Sequence, residues 1–323
     1  MVDTRAKTSG SKAPGTKAAG DIFAAQGAAH GLAEQLPDLA AEAMRIAMTI
    51  SQGIHGRRRA GPGETFWQFR QYGSTDAATT IDWRRSASSD HLYVREREWE
   101  AAHTIWLWPD LSPSMNFHSH LSVVTKRNRT LVLILALSEL LVRGGERVAL
   151  MGLTKPTAHR RASLKLAEAI ASNLAAPSLN DSLPPAERIG RFSGVVMASD
   201  FLDPLETIEA RLREIAGTGV AGHLIQVLDP AEETLPYDGR TEFLGLEGDH
   251  RWVADRAETL RPLYQAKFAA HRAGLDDMAK RLGWSFLVHH TDRPPAEPLL
   301  SLIMRLQNGG GAGDYRMNAG GAS

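Results

Sequence analysis

From about residue 101 onward, short apolar runs alternate with longer stretches whose apolar residues recur every three or four positions. This is the pattern of strands alternating with helices. Strands are predicted over 105–108, 147–153, 194–198, 223–228 and 284–289, and helices over 131–142, 164–174, 205–215, 256–282 and 299–306. Gly144-Gly145 stops the first of these helices, and a polar excursion containing 243–246 and 251–253 precedes the long one. Strands joined through helices of this length require right-handed crossovers. The expected fold is therefore α/β, with a mainly parallel sheet carrying helices on both faces.

The chain before residue 101 reads differently. Leu39, Ala43, Ile46, Ala47 and Ile50 recur at helical spacing, so a helix is predicted over 38–51, ended by Gly53. Aromatic and alternating stretches at 66–72 and 92–98 flank a segment beginning Ile81-Asp82-Trp83, which gives an irregular β-rich insertion ahead of the main fold. Residues 1–20 and 308–323 are rich in small and polar residues, with little to pack. The expected organisation is a disordered tail over 1–20, a helix and β-rich segment over 21–100, the α/β domain over 101–307, and a flexible tail over 308–323.

Composition narrows the partners. Lys plus Arg and Asp plus Glu both total 37, so overall charge gives no reason to expect nucleic acid or an anionic membrane. Arg57, Arg58 and Arg59, beside aromatic residues, read as a solvated turn more readily than as a phosphate-binding patch. No window is long and apolar enough to span a membrane, and no signal-peptide pattern follows the basic N-terminus. Cysteine is absent, which excludes disulfides, thiolate nucleophiles and zinc-thiolate sites and fits a reducing compartment, with the cytoplasm as the expectation.

The candidate chemistry lies where two predicted strands end in aspartate. The first ends in Asp110-Leu111-Ser112-Pro113-Ser114, the third in Ser199-Asp200. Ligands of such sheets bind at the carboxyl ends of strands. If both strands lie near the sheet centre, Asp110, Ser112, Ser114 and Asp200 would present the all-oxygen shell that magnesium or manganese prefers. The alternative is that Asp110 and the serines cap the following turn. His118, His120, His289 and His290 read as solvent-facing, and Asp229, which also ends a strand, is placed towards the far edge of the sheet. There is no phosphate loop, nucleophile elbow or His-Glu-x-x-His motif.

An ordered series of segments resembles the bacterial domain-of-unknown-function fifty-eight family. It runs through Gly61-Pro62-Gly63, Arg70-Gln71-Tyr72, Ile81-Asp82-Trp83-Arg84-Arg85, Tyr93-Val94-Arg95-Glu96-Arg97-Glu98, Asp110-Leu111-Ser112-Pro113-Ser114-Met115, Gly283-Trp284 and His290-Thr291-Asp292-Arg293-Pro294. The resemblance implies a von Willebrand factor A-like, Rossmann-like fold with a metal-ion-dependent adhesion site. Asp110, Ser112, Ser114 and Asp200 would bind magnesium or manganese. The middle threonine of such a site has no clear counterpart, Thr154 and Thr157 being the candidates. The implied function is a non-enzymatic protein-interaction adaptor working with a MoxR-type AAA+ ATPase or that ATPase's client. The alternatives are a metal-dependent phosphohydrolase and a structural protein with a degenerate site.

Overall fold

The computed structural model describes residues 15–55, 66–73, 78–97, 103–174, 181–187, 189–190, 193–217, 219–246 and 251–309. Of the expected tails over 1–20 and 308–323, residues 1–14 and 310–323 lie outside the described residues, as do the Arg57–Arg59 cluster and the Gly-Pro-Gly turn, whereas 15–20 and 308–309 are helical rather than tail. The chain divides into two compact units, one of 1–50 with 103–323 and a smaller one of 51–102.

The larger unit is built on five strands: β3 (Thr104–Pro109), β4 (Arg147–Leu150), β5 (Ser193–Ser199), β6 (Ala221–Leu228) and β9 (Ser285–His290). They form one sheet in the order β4-β3-β5-β6-β9, and every pairing is parallel. The expected α/β fold with a parallel sheet is what the chain forms. The connecting helices are α3 (Lys126–Arg143), α4 (Ala162–Asn173), α5 (Leu205–Ala216), α7 (Ala257–Arg281) and α8 (Ala296–Gly309). Strand residues alternate between the two faces. Trp108, Val195, Met197 and Leu224 pack with Ile208, Leu212, Leu275 and Met278 of α5 and α7. The intervening Leu107 and Val196 are buried on the opposite face, where α3 crosses the sheet.

Helix α1 (Gly15–His55) is far longer than the predicted 38–51. Leu32 and Leu36 extend the buried stripe of Ala40, Ala43, Ala47 and Ile50 by further turns on the same face, and Pro37 does not stop it. Through Ile50 this helix belongs to the larger unit. The excursion after β6 is also more regular than expected. It contains a short helix α6 (Pro230–Thr234) and an antiparallel pair, β7 (Thr241–Leu244) with β8 (Arg251–Ala254), held partly by Phe243 stacking on Trp252.

In the smaller unit β1 (Phe66–Gln71) pairs antiparallel with β2 (Tyr93–Arg97). The segment after Ile81 becomes a one-turn helix, α2 (Trp83–Ser86), because Asp82 accepts the Arg85 amide and caps it. The Arg85 guanidinium lies over the rings of Phe69 and Tyr93.

Two strand histidines are buried. Desolvation pulls His223 down to about 4, with Arg305 adding to it. His289 falls to about 3 by burial, then by the charges of Arg129 and His290. Both imidazoles are neutral in the fold and protonate near pH 6.5 in the unfolded chain, so the unfolded state binds more protons below that pH. Stability is full above about pH 6.5 and is lost as pH falls towards the two folded values. The expected loss is about 1 kcal/mol per histidine between roughly pH 6.5 and 5.5. Asp110, raised to about 7, takes up a proton in the fold over the same range and opposes this loss, so the histidine part is read as the difference in urea midpoint between wild type and His289→Gln at the two pH values. A difference that does not change with pH would contradict the assignment of His289 as a buried neutral group.

Candidate interaction site

The site forms where the chain reverses direction across the sheet: from β3 it moves outward to β4, then returns to the other side of β3 as β5. Such a switch opens a crevice between the carboxyl ends of the two strands. Pro109 is paired with Ala198, and the Asp110 amide donates to Ala198 O at 2.9 Å, so Asp110 and Asp200 leave the sheet side by side.

The polar groups there bind one another closely. Asp110 Oδ1 accepts the Ser112 amide at 2.8 Å, and Oδ2 accepts Ser199 Oγ at 2.6 Å. Ser112 Oγ lies 3.1 Å from Ser114 Oγ, which donates to Asp200 Oδ2 at 2.9 Å. The same Oδ2 accepts from Lys126 Nζ at 2.8 Å, and Lys126 also donates to Glu232 Oε1 at 2.5 Å. Asp110 is fully buried, and Lys126 is 1% exposed. The four residues picked out in the sequence are thus brought together, and Lys126, Ser199 and Glu232 join them.

Burial shapes the charges. Desolvation, and then the neighbouring Asp200 carboxylate, push Asp110 up to about 7. Burial works against the charged form of Lys126, but Asp200 and Glu232 together more than offset it and leave its pKa raised. Burial likewise raises Glu232, with Lys126 opposing. The turn itself is strained: Phe201, directly after Asp200, has φ 49 and is 1% exposed. A bulky residue in the left-handed region persists only where its surroundings hold it. Ser199 Oγ accepts the Phe201 amide, and His271 Nε2 is bonded to Phe201 O at 2.7 Å.

Next to this cluster is a groove of about 910 Å³, whose lining includes Ser114, Lys126 and Glu232. Its apolar walls come from α6, the β7–β8 pair and the first turns of α7, including Leu235, Phe243, Trp252 and Leu263. Trp252 and Leu263 are more than half exposed.

A family model described as protein of unknown function DUF58 matches residues 68–274. The chain belongs to the DUF58 family. Among curated proteins, the relatives of this chain include the uncharacterized protein Rv1480 of Mycobacterium tuberculosis (strain ATCC 25618 / H37Rv). The uncharacterized protein Mb1516 of Mycobacterium bovis (strain ATCC BAA-935 / AF2122/97) is another. Each is 26% identical over 300 residues, covering 86% of this chain and 92% of the relative. Two solved structures are similar over 64% of this chain and all of theirs, at 16% identity. They are an aerotolerance-related membrane protein from Bacteroides fragilis NCTC 9343, with TM-score 0.38, and BatB from Bacteroides thetaiotaomicron, with TM-score 0.34. Among the described residues of this DUF58 protein, no helix is long and apolar enough to cross a membrane.

The adhesion-site expectation can be tested on the donor set. The candidate oxygens already make hydrogen bonds: Asp110 with Ser112 and Ser199, the two serine hydroxyls with each other, Asp200 Oδ1 with the Leu202 amide, and Asp200 Oδ2 with Ser114 and an ammonium. The threonine candidates are committed elsewhere. Thr154 Oγ1 accepts the Leu150 amide and Thr157 Oγ1 the His159 amide, so both serve the turn after β4. A divalent ion held here would share Asp200 Oδ2 with the Lys126 ammonium and face its positive charge. Among the described residues no group of three or more His, Cys, Asp or Glu offers a second metal site.

Asp229 lies closer to the site than its expected place towards the far edge of the sheet. Strand β6 lies directly beside β5, not at the sheet's edge, and Asp229 is fully buried. It accepts the Ser119 amide at 2.8 Å and Ser119 Oγ at 2.6 Å, and so ties down the loop between Ser114 and Lys126. It also caps α6 in a reciprocal capping box with Glu232. Signals for these residues were present. Asp229-Pro230-Ala231-Glu232 has capping-box spacing. A lysine opening a helix opposes the helix dipole and so implies a carboxylate partner.

Of the histidines, His118 and His120 are exposed, as expected of solvent-facing groups. His289 is only 3% exposed, which corrects its reading as solvent-facing. It lies inside β9, paired with Val227. His290 is half-buried and bonds Glu233 Oε2 at 2.6 Å.

Proposed function

We propose that this protein is a non-enzymatic interaction module that docks an apolar, carboxylate-bearing segment of a partner protein in the groove beside the Asp110 loop. The observation that carries this reading is the groove itself, a largely apolar trough whose lining includes Ser114, Lys126 and Glu232 of the polar cluster. Exposed apolar surface of this kind, rimmed by polar groups, marks interaction sites. Lys267 lines the groove, is exposed, and forms no ion pair among the described residues, which makes it the cation for the partner's carboxylate. The family resemblance supplies the partner: a MoxR-type AAA+ ATPase of the same bacterium, or that ATPase's client, in the cytoplasm.

The phosphohydrolase reading needs an accessible nucleophile and a cation free to neutralise phosphate. Asp110 is fully buried, and Lys126 is held by two carboxylates. Both facts favour docking over turnover.

Leu263→Glu and Lys267→Glu change exposed positions of the groove, so the fold should be retained. Each should weaken binding of the purified MoxR-type ATPase at least about tenfold, or roughly 1.4 kcal/mol, when titrated by calorimetry. Wild-type affinity in both variants would rule out the groove as the docking surface.

A further inference from the structure

We propose that Lys126 is the resident cation of this site, its ammonium standing in for the divalent ion of an adhesion-type centre, so that the Asp110–Asp200 cluster is complete without metal. This inference does not depend on which partner docks in the groove.

The argument starts from where the lysine comes from. Lys126 opens α3, where Thr125 caps the helix by accepting the Asn128 amide, and its own amide donates to Phe117 O at 3.1 Å. The backbone is therefore fixed before the side chain is considered. A cation here faces the positive end of an 18-residue helix and would ordinarily turn outward into water. Lys126 instead turns inward and is almost wholly buried. A buried ammonium persists only when paired and hydrogen-bonded, and the pairing is supplied by Asp200 from β5 and Glu232 from α6. The ring of Phe117 lies 5.8 Å from Nζ and adds an aromatic face on a further side.

The two carboxylates belong to different parts of the chain, 74 and 106 residues away. Neither is needed to cap a neighbour's charge at the surface. Asp200 does at this site what a metal-binding aspartate would do: it holds a cation against the serine loop. Its Oδ2 is shared between the ammonium and Ser114 Oγ, so the hydroxyl reports to Lys126 through one oxygen. An ion entering beside Ser112 and Ser114 would compete for that oxygen and face a fixed positive charge across it. The ammonium cannot dissociate, so the site is charged and ordered at any divalent-ion concentration.

The test removes the internal cation. Wild-type protein, titrated with MnCl2 by electron spin resonance of free Mn2+ and with MgCl2 by calorimetry, should bind no stoichiometric ion at millimolar concentration. Lys126→Ala leaves Asp200 and Glu232 uncompensated, and its Tm should fall by about 6 °C. Millimolar Mn2+ should restore most of that loss through binding to the folded state, with one ion taken up at least tenfold more tightly than by wild type. Lys126→Arg keeps the charge and should behave as wild type in the metal titrations. One equivalent of Mn2+ or Mg2+ bound by wild type would overturn the proposal. So would a folded Lys126→Ala protein that takes up no ion. Should Lys126→Ala not fold, the wild-type titration decides alone.

Discussion

Replacing Gly222 by alanine is expected to cost about 4 kcal/mol, more than most overpacking substitutions. Gly222 lies in β6 opposite Val195, and a β-carbon there would stand 2.0 Å from Trp284 Cδ2, with two more ring atoms within 2.3 Å. The indole cannot yield cheaply. It is 5% exposed, it packs in the core beneath α5 and α7, and its Nε1 donates to Val220 O at 3.0 Å. Relieving the clash means moving a buried ring out of close packing and leaving its N–H without a partner. The denaturant midpoint should drop sharply with an unchanged slope. Gly222→Ala combined with Trp284→Leu should recover part of the loss, since the smaller side chain vacates the space. A midpoint within error of wild type for the single variant would show that the ring has freedom the packing denies it.

Asp229→Ala is expected to cost about 3 kcal/mol and to act on the site as well as on stability. Its carboxylate accepts the Ser119 amide, Ser119 Oγ and the Ala231 amide, all in a fully buried position. Alanine would orphan the three donors together. Asp229→Asn keeps one acceptor oxygen and should lose about half as much. The loop from Ser114 to Lys126 should then exchange its amide hydrogens faster, because Ser119 is its anchor to the sheet edge. Hydrogen exchange over that segment, compared with β5 as an internal control, measures the effect. Unaltered exchange there would show that the loop is held by other contacts.

Much of the frame was legible in the sequence. The 3.6- and 2-residue periodicities place each main-sheet strand and most helices, since they record which residues of one segment share a face. Asp110 and Asp200 were recognisable because each follows directly on an apolar strand, and parallel strands present their carboxyl ends together. Asp229 met the same criterion, but its weight depended on strand order. Once β6 is known to neighbour β5, its aspartate belongs to the site. The β7–β8 pair was hidden because β7 alternates between half-buried and exposed while β8 is exposed up to the buried Ala254, which leaves only a weak apolar pattern.

By itself, then, the sequence determined the main-sheet strands with their connecting helices, the parallel α/β class and the pair of strand-end carboxylates, all of which follow from periodicities and turn signals within a dozen residues. Only the tertiary structure decided that Lys126 meets Asp200 and Glu232, that Asp229 anchors the Ser119 loop, and that an apolar groove opens beside them. These contacts join residues 74 to 110 positions apart. Their partners are selected by strand order and by the need to pair every buried charge, and no local pattern encodes either.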